Sequence, residues 1–577
     1  MGTRSQIAFL LALTLAIYLS SAFRPALLDD ADSVHAEAAR EILERGDWVT
    51  LYANGIRYLE KAPLMYWAMA GAFRLLGVWE LPARLPLVLG TLALVLTLYA
   101  FGRFLFGERT GFYAGLGGAT CFGIYLFTRI LIPEVLLALF ITGAFFFFLA
   151  ARKRQQPLLY YGMYVCLALA VLTKGLIGVI LPAGIVGAWA LLAGSLPRTL
   201  REMRLAAGTL ILVAIAAPWH ILAGLRTEKF FWFYFMNEQL LRYLGKRIPV
   251  DYDTVPLPVF LGLHLVWLFP WTPFLVLALR DLPRVLRPRF DHDRTLLFLW
   301  LWAGMVLLFF SFSTRQEYYS FAAYPALILL AAKALEEGER LPARGLVAAH
   351  WALLAVAAVT AAVLGVLVAL SLRVQVEGDI AATLTRNPQY YALSLGHFFD
   401  LTPASFAALR WPAVGAAVAL LAGSWLALHL RRLRRNLAAG LCLALMAAAF
   451  FFCAHAALNV FSPHLSSRGL ADAIAAVARP GDRIVINGEY ESGSTLNFYT
   501  GRRLDILNGR SANLWWGSFY PDAPRIFLED KDLVRLWQGH GRIFLVTEVE
   551  KQPALEKLVG KAQVFTRSGG KVVLLNR

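Results

Sequence analysis

Apolar runs long enough to cross ~30 Å of hydrocarbon recur along most of this chain, and they limit its folds more than any other feature. They cover residues 6–23, 83–106, 111–128, 131–151, 158–173, 175–194, 204–223, 258–279, 293–312, 318–336, 345–371, 410–430 and 436–459, thirteen in all. The composition fits: 59% of the 577 residues are hydrophobic and only 16% are charged. So few charges cannot cover the surface of several soluble domains. Nor is this the polar, charge-rich composition of a disordered chain. The expectation is a polytopic α-helical membrane protein. There is no internal repeat or low-complexity stretch.

The loops set the orientation. With the N-terminus in the cytoplasm, the inside loops carry Arg4; Arg103 and Arg109; Arg152, Lys153 and Arg154; Arg198, Arg201 and Arg204. They continue with Arg280, Arg284, Arg287, Arg289 and Arg294; Lys333, Arg340 and Arg344; then Arg431, Arg432, Arg434 and Arg435. Every inside loop is basic, as the positive-inside bias requires. This explains the net charge of +17 without a nucleic-acid partner. An odd number of spans then leaves the C-terminal tail outside the cytoplasm. The first segment reads as an uncleaved anchor, because the chain continues directly into a motif-bearing loop. Cys121, Cys166, Cys442 and Cys453 all lie in apolar stretches without CxxC spacing, and read as buried hydrophobes.

The expected organisation is a transmembrane unit over 1–459 and a small extracytoplasmic α/β domain over 460–577. In the second, strand-like runs at 483–487, 505–507, 542–547 and 571–575 alternate with helical patterns near 466–478, 530–539 and 553–560. Outside loops cover 24–82, 224–257 and 372–409.

The polar residues of these outside loops are where chemistry is expected. Asp29, Asp30 and Asp32 precede a helix beginning near Ala36. One aspartate would serve as an N-cap; three exceed that need, and a carboxylate here can take a proton from an attacking hydroxyl. Next come Asn54-Gly55, a turn signal, then Tyr58, Glu60 and Lys61 ahead of Pro63 and an amphipathic helix over 64–76. Lys61 reads either as a snorkelling anchor or as an ammonium held at the depth of lipid phosphates. Arg129 and Glu134 flank a span start, where a mutual ion pair is the bland expectation. Lys174 sits at another outside hairpin. Glu238, Gln239 and Arg242 lie among aromatics before the eighth span, and Arg315 lies near Glu317 and Tyr319. Acids and cations thus gather on one face, while the span interiors are nearly free of charge. A transporter would place ionisable groups near the midplane.

These residues resemble the bacterial protein-mannosyltransferase-like superfamily of membrane glycosyltransferases, of the GT-C fold class, nearest to the 4-amino-4-deoxy-L-arabinose lipid A transferases. The resemblance rests on the acids before an Ala-Glu-rich helix, Gly46-Asp47-Trp48, Asn54-Gly55, and Glu60-Lys61-Ala62-Pro63-Leu64-Met65-Tyr66-Trp67. Leu172-Thr173-Lys174-Gly175, Ala217-Pro218-Trp219-His220 and Phe310-Ser311-Phe312-Ser313 add to it. It covers about residues 1–330, and the thirteen-span plan with an extracytoplasmic tail matches along the whole chain. It implies a bacterial inner-membrane enzyme that moves a sugar from a polyprenyl (undecaprenyl) phosphate to an extracytoplasmic acceptor such as lipid A, another glycan or a protein, with inversion. A protein O-glycosyltransferase of the same fold and a non-enzymatic lipid-linked-sugar flippase are the alternatives.

The resemblance also implies roles. Asp30 or Asp32, with Asp29 as a third choice, would be the acid that handles the acceptor hydroxyl, and Glu134 a second acid. Lys61 would face the donor phosphate, helped by Arg242 and Arg315. Tyr58, Glu60, Arg129, Lys174, Glu238 and Tyr319 are candidate substrate contacts. Relatives hold a metal through the glutamate before the lysine together with a later histidine. Glu60 is present, but Gln239 stands at the expected histidine position, so a divalent metal is a possibility the motif only half supports. No other cofactor is implied.

Overall fold

The computed structural model describes residues 2–577 apart from 251–253, 287, 289, 341–343, 375–379, 386, 388–390 and 392. Arg287 and Arg289, counted above among the inside cations, and parts of the 372–409 loop fall outside the described residues.

Each of the thirteen apolar runs has a helical counterpart. Among the described residues, nine helices are long and apolar enough to cross a membrane, or ten if one bent pair counts as a span. The helices Leu159–Lys174 and Ile177–Leu192 are shorter. Two of the expected spans are broken. The run at 111–128 splits into Glu108–Thr120 and Phe122–Thr128, with Cys121 extended between them. The run at 258–279 bends by 104° between Leu257–Trp267 and Thr272–Val285, where Pro270 has no N–H to continue a helix.

The breaks complete one another. Phe122 N donates to Phe269 O at 3.0 Å, Cys121 Sγ to Trp267 O at 3.0 Å, and Trp271 Nε1 to Thr120 Oγ1 at 3.1 Å. Irregular backbone at membrane depth persists only when other protein groups satisfy it. On the face with the basic loops, charges pair across helices: Lys333 with Asp281 at 2.6 Å, Arg431 with Glu339 at 3.0 Å and Arg109 with Glu339 at 2.9 Å.

The C-terminal segment forms a six-stranded mixed sheet. In spatial order its strands are Phe527–Leu528, Leu504–Leu507, Arg483–Asn487, Ile543–Glu548, Lys571–Leu575 and Gln563–Ser568. The first four run parallel, and the last two pair antiparallel. Four strands match the sequence reading; Phe527–Leu528 and Gln563–Ser568 are additional. One face packs Val485, Leu545 and Leu574 against Leu533, Trp537 and Leu555 of the helices Asp530–Gln538 and Gln552–Val559. The other face carries Ile484, Ile486, Ile506 and Phe544 into the main core. Burial on both faces explains why the strands read as nearly continuous apolar runs.

That second face meets the first outside loop. Ala31–Arg45 is helical, with ten buried residues that include Ser33, Glu37 and Glu41. Asp29 is fully engaged here: it accepts from Thr495 N at 2.9 Å, Thr495 Oγ1 at 2.6 Å, Ser467 Oγ at 2.7 Å and Lys571 Nζ at 2.6 Å. Asn54 and Gly55, both at positive φ, turn a short hairpin between Tyr52–Ala53 and Ile56–Arg57. The Asn54 amide then bridges Leu504, donating to its carbonyl at 2.9 Å and accepting from its N–H at 2.8 Å. The Asn-Gly motif is therefore a docking device for the C-terminal sheet.

Candidate active site

The loops assigned to one side of the membrane converge on one cavity of about 460 Å³. Its walls come from the first loop, the 132–134 and 173–177 hairpins, the segment 234–243, the segment 309–319 and Asn513 of the C-terminal unit.

Asp30 precedes the helix Ala31–Arg45 with φ 68° and ψ −123°, a positive-φ conformation that favours glycine and is strained for aspartate. Its side chain makes no capping bond, which corrects the expectation of an N-cap. It lines the cavity instead, with Ala31, Val34 and His35 on the same helical face. Asp30 N donates to Glu491 O at 2.9 Å and contacts Ser494 Oγ at 3.0 Å, so the C-terminal unit fixes its backbone.

Asp32 points away from the cavity. Its side chain is fully buried, accepts from Leu131 N at 2.8 Å and from Leu28 N at 3.3 Å, and faces Arg84 at 3.5 Å. With its oxygens committed there, Asp32 ties the first loop to the 131–134 hairpin. Asp29, engaged with the sheet, also lies outside the cavity lining. The structure thus separates three acids among which the sequence favoured Asp30 without excluding Asp32 or Asp29.

Glu134 lines the cavity at the start of the helix Glu134–Arg154. It pairs with Lys174, not with Arg129. Its Oε2 is buried without a hydrogen-bond partner among the described residues. Lys174 also lies 4.7 Å from the Tyr319 ring centroid. Arg129 instead donates to the carbonyls of Ser21 and Arg24 and is absent from the cavity wall, so the Arg129–Glu134 pair and the substrate-contact role for Arg129 are corrected together. Arg315 also turns away, donating to Val255 O at 2.7 Å and Ser311 O at 3.0 Å. Glu317 accepts from Ser394 N, and does not pair with Arg315.

The cationic end of the cavity is a linked cluster. Glu60 Oε1 accepts from Arg247 at 2.5 Å, and the same guanidinium reaches Glu238 Oε1 at 2.7 Å. Arg242 stands 3.0 Å from Glu238 and 3.9 Å from Glu60. It reaches Tyr319 Oη at 3.5 Å. Lys61 Nζ is 3.5 Å from Glu60. Burial works against ionisation of Glu60, but Arg247, Lys61 and Arg242 outweigh it and hold the carboxyl below its ordinary value. The π-helical segment Trp232–Leu241 presents Glu238 and Gln239 to this cluster.

Three residues of the site carried no role in the sequence reading. His35 lies on the cavity wall, one turn beyond Ala31. It shares a 2.7 Å hydrogen bond with Tyr66 Oη. Burial, aided by Lys61, lowers its pKa to about 3, so the imidazole is neutral. Spacing from Asp30 was a usable signal for it. Arg247 and Asn513 had none, since one follows an irregular loop and the other comes from a distant domain.

A metal at Glu60 does not fit these residues. Two carboxylates, Glu60 and Glu238, already face three cations, Arg247, Arg242 and Lys61. A divalent ion needs carboxylate oxygens at ~2.0–2.2 Å and would have to displace the guanidinium.

Residues 60–222 match the family described as dolichyl-phosphate-mannose-protein mannosyltransferase. An uncharacterized protein of Aquifex aeolicus (strain VF5) is 28% identical over 305 residues, 52% of this chain and 58% of its own length. The undecaprenyl phosphate-alpha-4-amino-4-deoxy-L-arabinose arabinosyl transferase 1 of Proteus mirabilis (strain HI4320) is 26% identical over 310 residues, 52% of this chain and 54% of its own. The chain therefore spans little more than half the length of these two relatives. The fold is similar to the crystal structure of ArnT from Cupriavidus metallidurans bound to undecaprenyl phosphate, with a TM-score of 0.83 and 23% identity over 100% of this chain and 99% of that one. The archaeal oligosaccharyltransferase AglB from Archaeoglobus fulgidus is more distant, with a TM-score of 0.51 at 13% identity, covering 95% of this chain and 69% of that one.

The fold is that of a polytopic helical membrane protein similar to ArnT, and residues 60–222 are similar to the mannosyltransferase family. Its likeness extends to the undecaprenyl phosphate-alpha-4-amino-4-deoxy-L-arabinose arabinosyl transferases.

Proposed function

We propose that this protein is an inner-membrane glycosyltransferase that takes a sugar from a polyprenyl phosphate, such as undecaprenyl phosphate, and passes it to an extracytoplasmic acceptor such as lipid A. One observation carries the reading: a single cavity places the Asp30 carboxyl and the Lys61–Arg242 cations on its walls. The apolar Ile177, Ile180, Leu240 and Phe309 line the same cavity and suit a lipid-linked donor.

The anionic leaving group binds toward Lys61 and Arg242, whose charges offset the charge that develops as the sugar–phosphate bond breaks. The acceptor oxygen forms its bond to the anomeric carbon from the opposite side, which inverts that centre. Its proton passes to Asp30, and the polyprenyl phosphate departs. Glu134, held by Lys174 and with one oxygen unpaired among the described residues, orients the sugar or acceptor. Neutral His35 and Tyr66 support the wall beside Asp30. The N-terminus lies in the cytoplasm and the C-terminal unit in the periplasm, which puts the cavity on the acceptor side.

The test is transfer from synthetic undecaprenyl-phosphate sugars by purified protein, together with mass spectrometry of surface glycolipids and glycoproteins with and without the gene. Asp30→Asn and Lys61→Ala are expected to lower kcat/KM by at least about 100-fold, within the range for general-base and charge-stabilising groups. Full activity in both variants overturns the assignment.

A further inference from the structure

We propose that the Arg247 guanidinium is a built-in replacement for a divalent metal at the donor end of the cavity, so that this chain binds its phosphate-bearing lipid without one. The proposal rests on the glycosyltransferase reading for the identity of the lipid. The metal content stands on the side-chain cluster alone.

Arg247 joins two carboxylates that are almost completely buried, Glu60 at 2.5 Å and Glu238 at 2.7 Å, and is itself only 6% exposed. Its third arm donates to Pro249 O at 3.0 Å, so the fork is anchored from the 247–249 backbone as well. Asn237 locks the same turn, donating to Ile248 O at 2.8 Å and to Glu238 at 3.1 Å, and accepting from Ile248 N at 2.9 Å. A buried carboxylate pair needs a compensating cation, and a metal or a guanidinium meets that need equally well. Here the guanidinium has the geometry. Gln239, on the same cavity wall, offers only an amide, a poor ligand for zinc. Three cations against two carboxylates leave the cluster with a net positive charge toward the phosphate.

The experiment uses the full chain purified in detergent. Wild type, Arg247→Lys and the double variant Arg247→Ala with Gln239→His, all in a His397→Ala background that removes the separate group His397, Asp400 and His464, are compared for metal content by mass spectrometry after dialysis against zinc. Undecaprenyl phosphate binding is measured with and without EDTA. Wild type and Arg247→Lys are expected to hold no stoichiometric zinc, and EDTA should change their lipid binding by less than about twofold. The double variant should take up about one zinc per chain and lose lipid binding by about tenfold in EDTA. One zinc per wild-type chain, or a tenfold EDTA effect on wild type, overturns the proposal. So does a double variant that folds, as judged by a cooperative melt, but takes up no zinc. If the double variant does not fold, the wild-type arms decide. Failure of the glycosyltransferase reading is distinguishable, since it would show as an absence of sugar transfer by wild type while leaving the metal contents as stated.

Discussion

Replacing Asp32 and Asp30 separately by alanine should divide stability from catalysis. Asp32→Ala removes the acceptor for two buried amides, Leu131 N at 2.8 Å and Leu28 N at 3.3 Å, and the counter-charge 3.5 Å from buried Arg84. Arg84 retains the carbonyls of Ala22, Pro25 and Ala26, so its charge is solvated only in part. Each stranded amide costs about 1–3 kcal/mol, and breaking a buried ion pair costs about 3–5 kcal/mol. These terms overlap, and about 3 kcal/mol is a conservative total, roughly a 150-fold change in a folding equilibrium. Asp30→Ala removes a carboxyl from the wall of the cavity and should leave the melt nearly unchanged. The assay is the apparent melting temperature in detergent, measured beside transfer activity at a temperature where both variants are folded. Asp32→Ala should melt several degrees lower and recover most of its activity on cooling, whereas Asp30→Ala should melt like wild type and stay inactive. A stable, inactive Asp32→Ala together with an active Asp30→Ala would refute the separation.

Other outcomes follow from the same geometry. Asn54→Ala loses both bonds to Leu504 and should cost about 1–2 kcal/mol, read as faster proteolysis between the membrane unit and the C-terminal sheet. Burial raises the Glu491 carboxyl to about 8, with Asp30 adding to the effect. Folding therefore binds a proton between the ordinary glutamate value and about 8, and stability should fall as pH rises through that window. Glu491→Gln should remove that part of the slope in melts recorded from pH 5 to pH 9. Lys174→Ala leaves Glu134 buried without its partner; it should lower kcat more than Lys174→Arg does, and Lys174→Arg should recover part of the lost activity.

Much of the architecture was legible because apolar length and periodicity are local properties. The runs at 83–106 and 345–371 became the helices Glu80–Phe106 and Arg344–Ser371. The amphipathic pattern at 64–76 became Leu64–Leu76. The broken spans were less visible, because Cys121 and Pro270 interrupt apolar stretches that remain apolar throughout. The cationic side chain that binds Glu60 was invisible, since Arg247 lies 187 residues away and follows no periodic pattern.

The sequence alone established a helical membrane protein with its polar chemistry gathered on one face, because hydrocarbon penalises unpaired charge and permits few backbone forms. It could not choose among Asp29, Asp30 and Asp32, which differ by at most three positions. Tertiary structure gives each of them different surroundings. The C-terminal unit takes Asp29 through Thr495, Ser467 and Lys571, the 131–134 hairpin and Arg84 take Asp32, and Asp30 lines the cavity. A carboxylate's role depends on which donors surround it, and those donors come from segments up to 542 residues away in the chain.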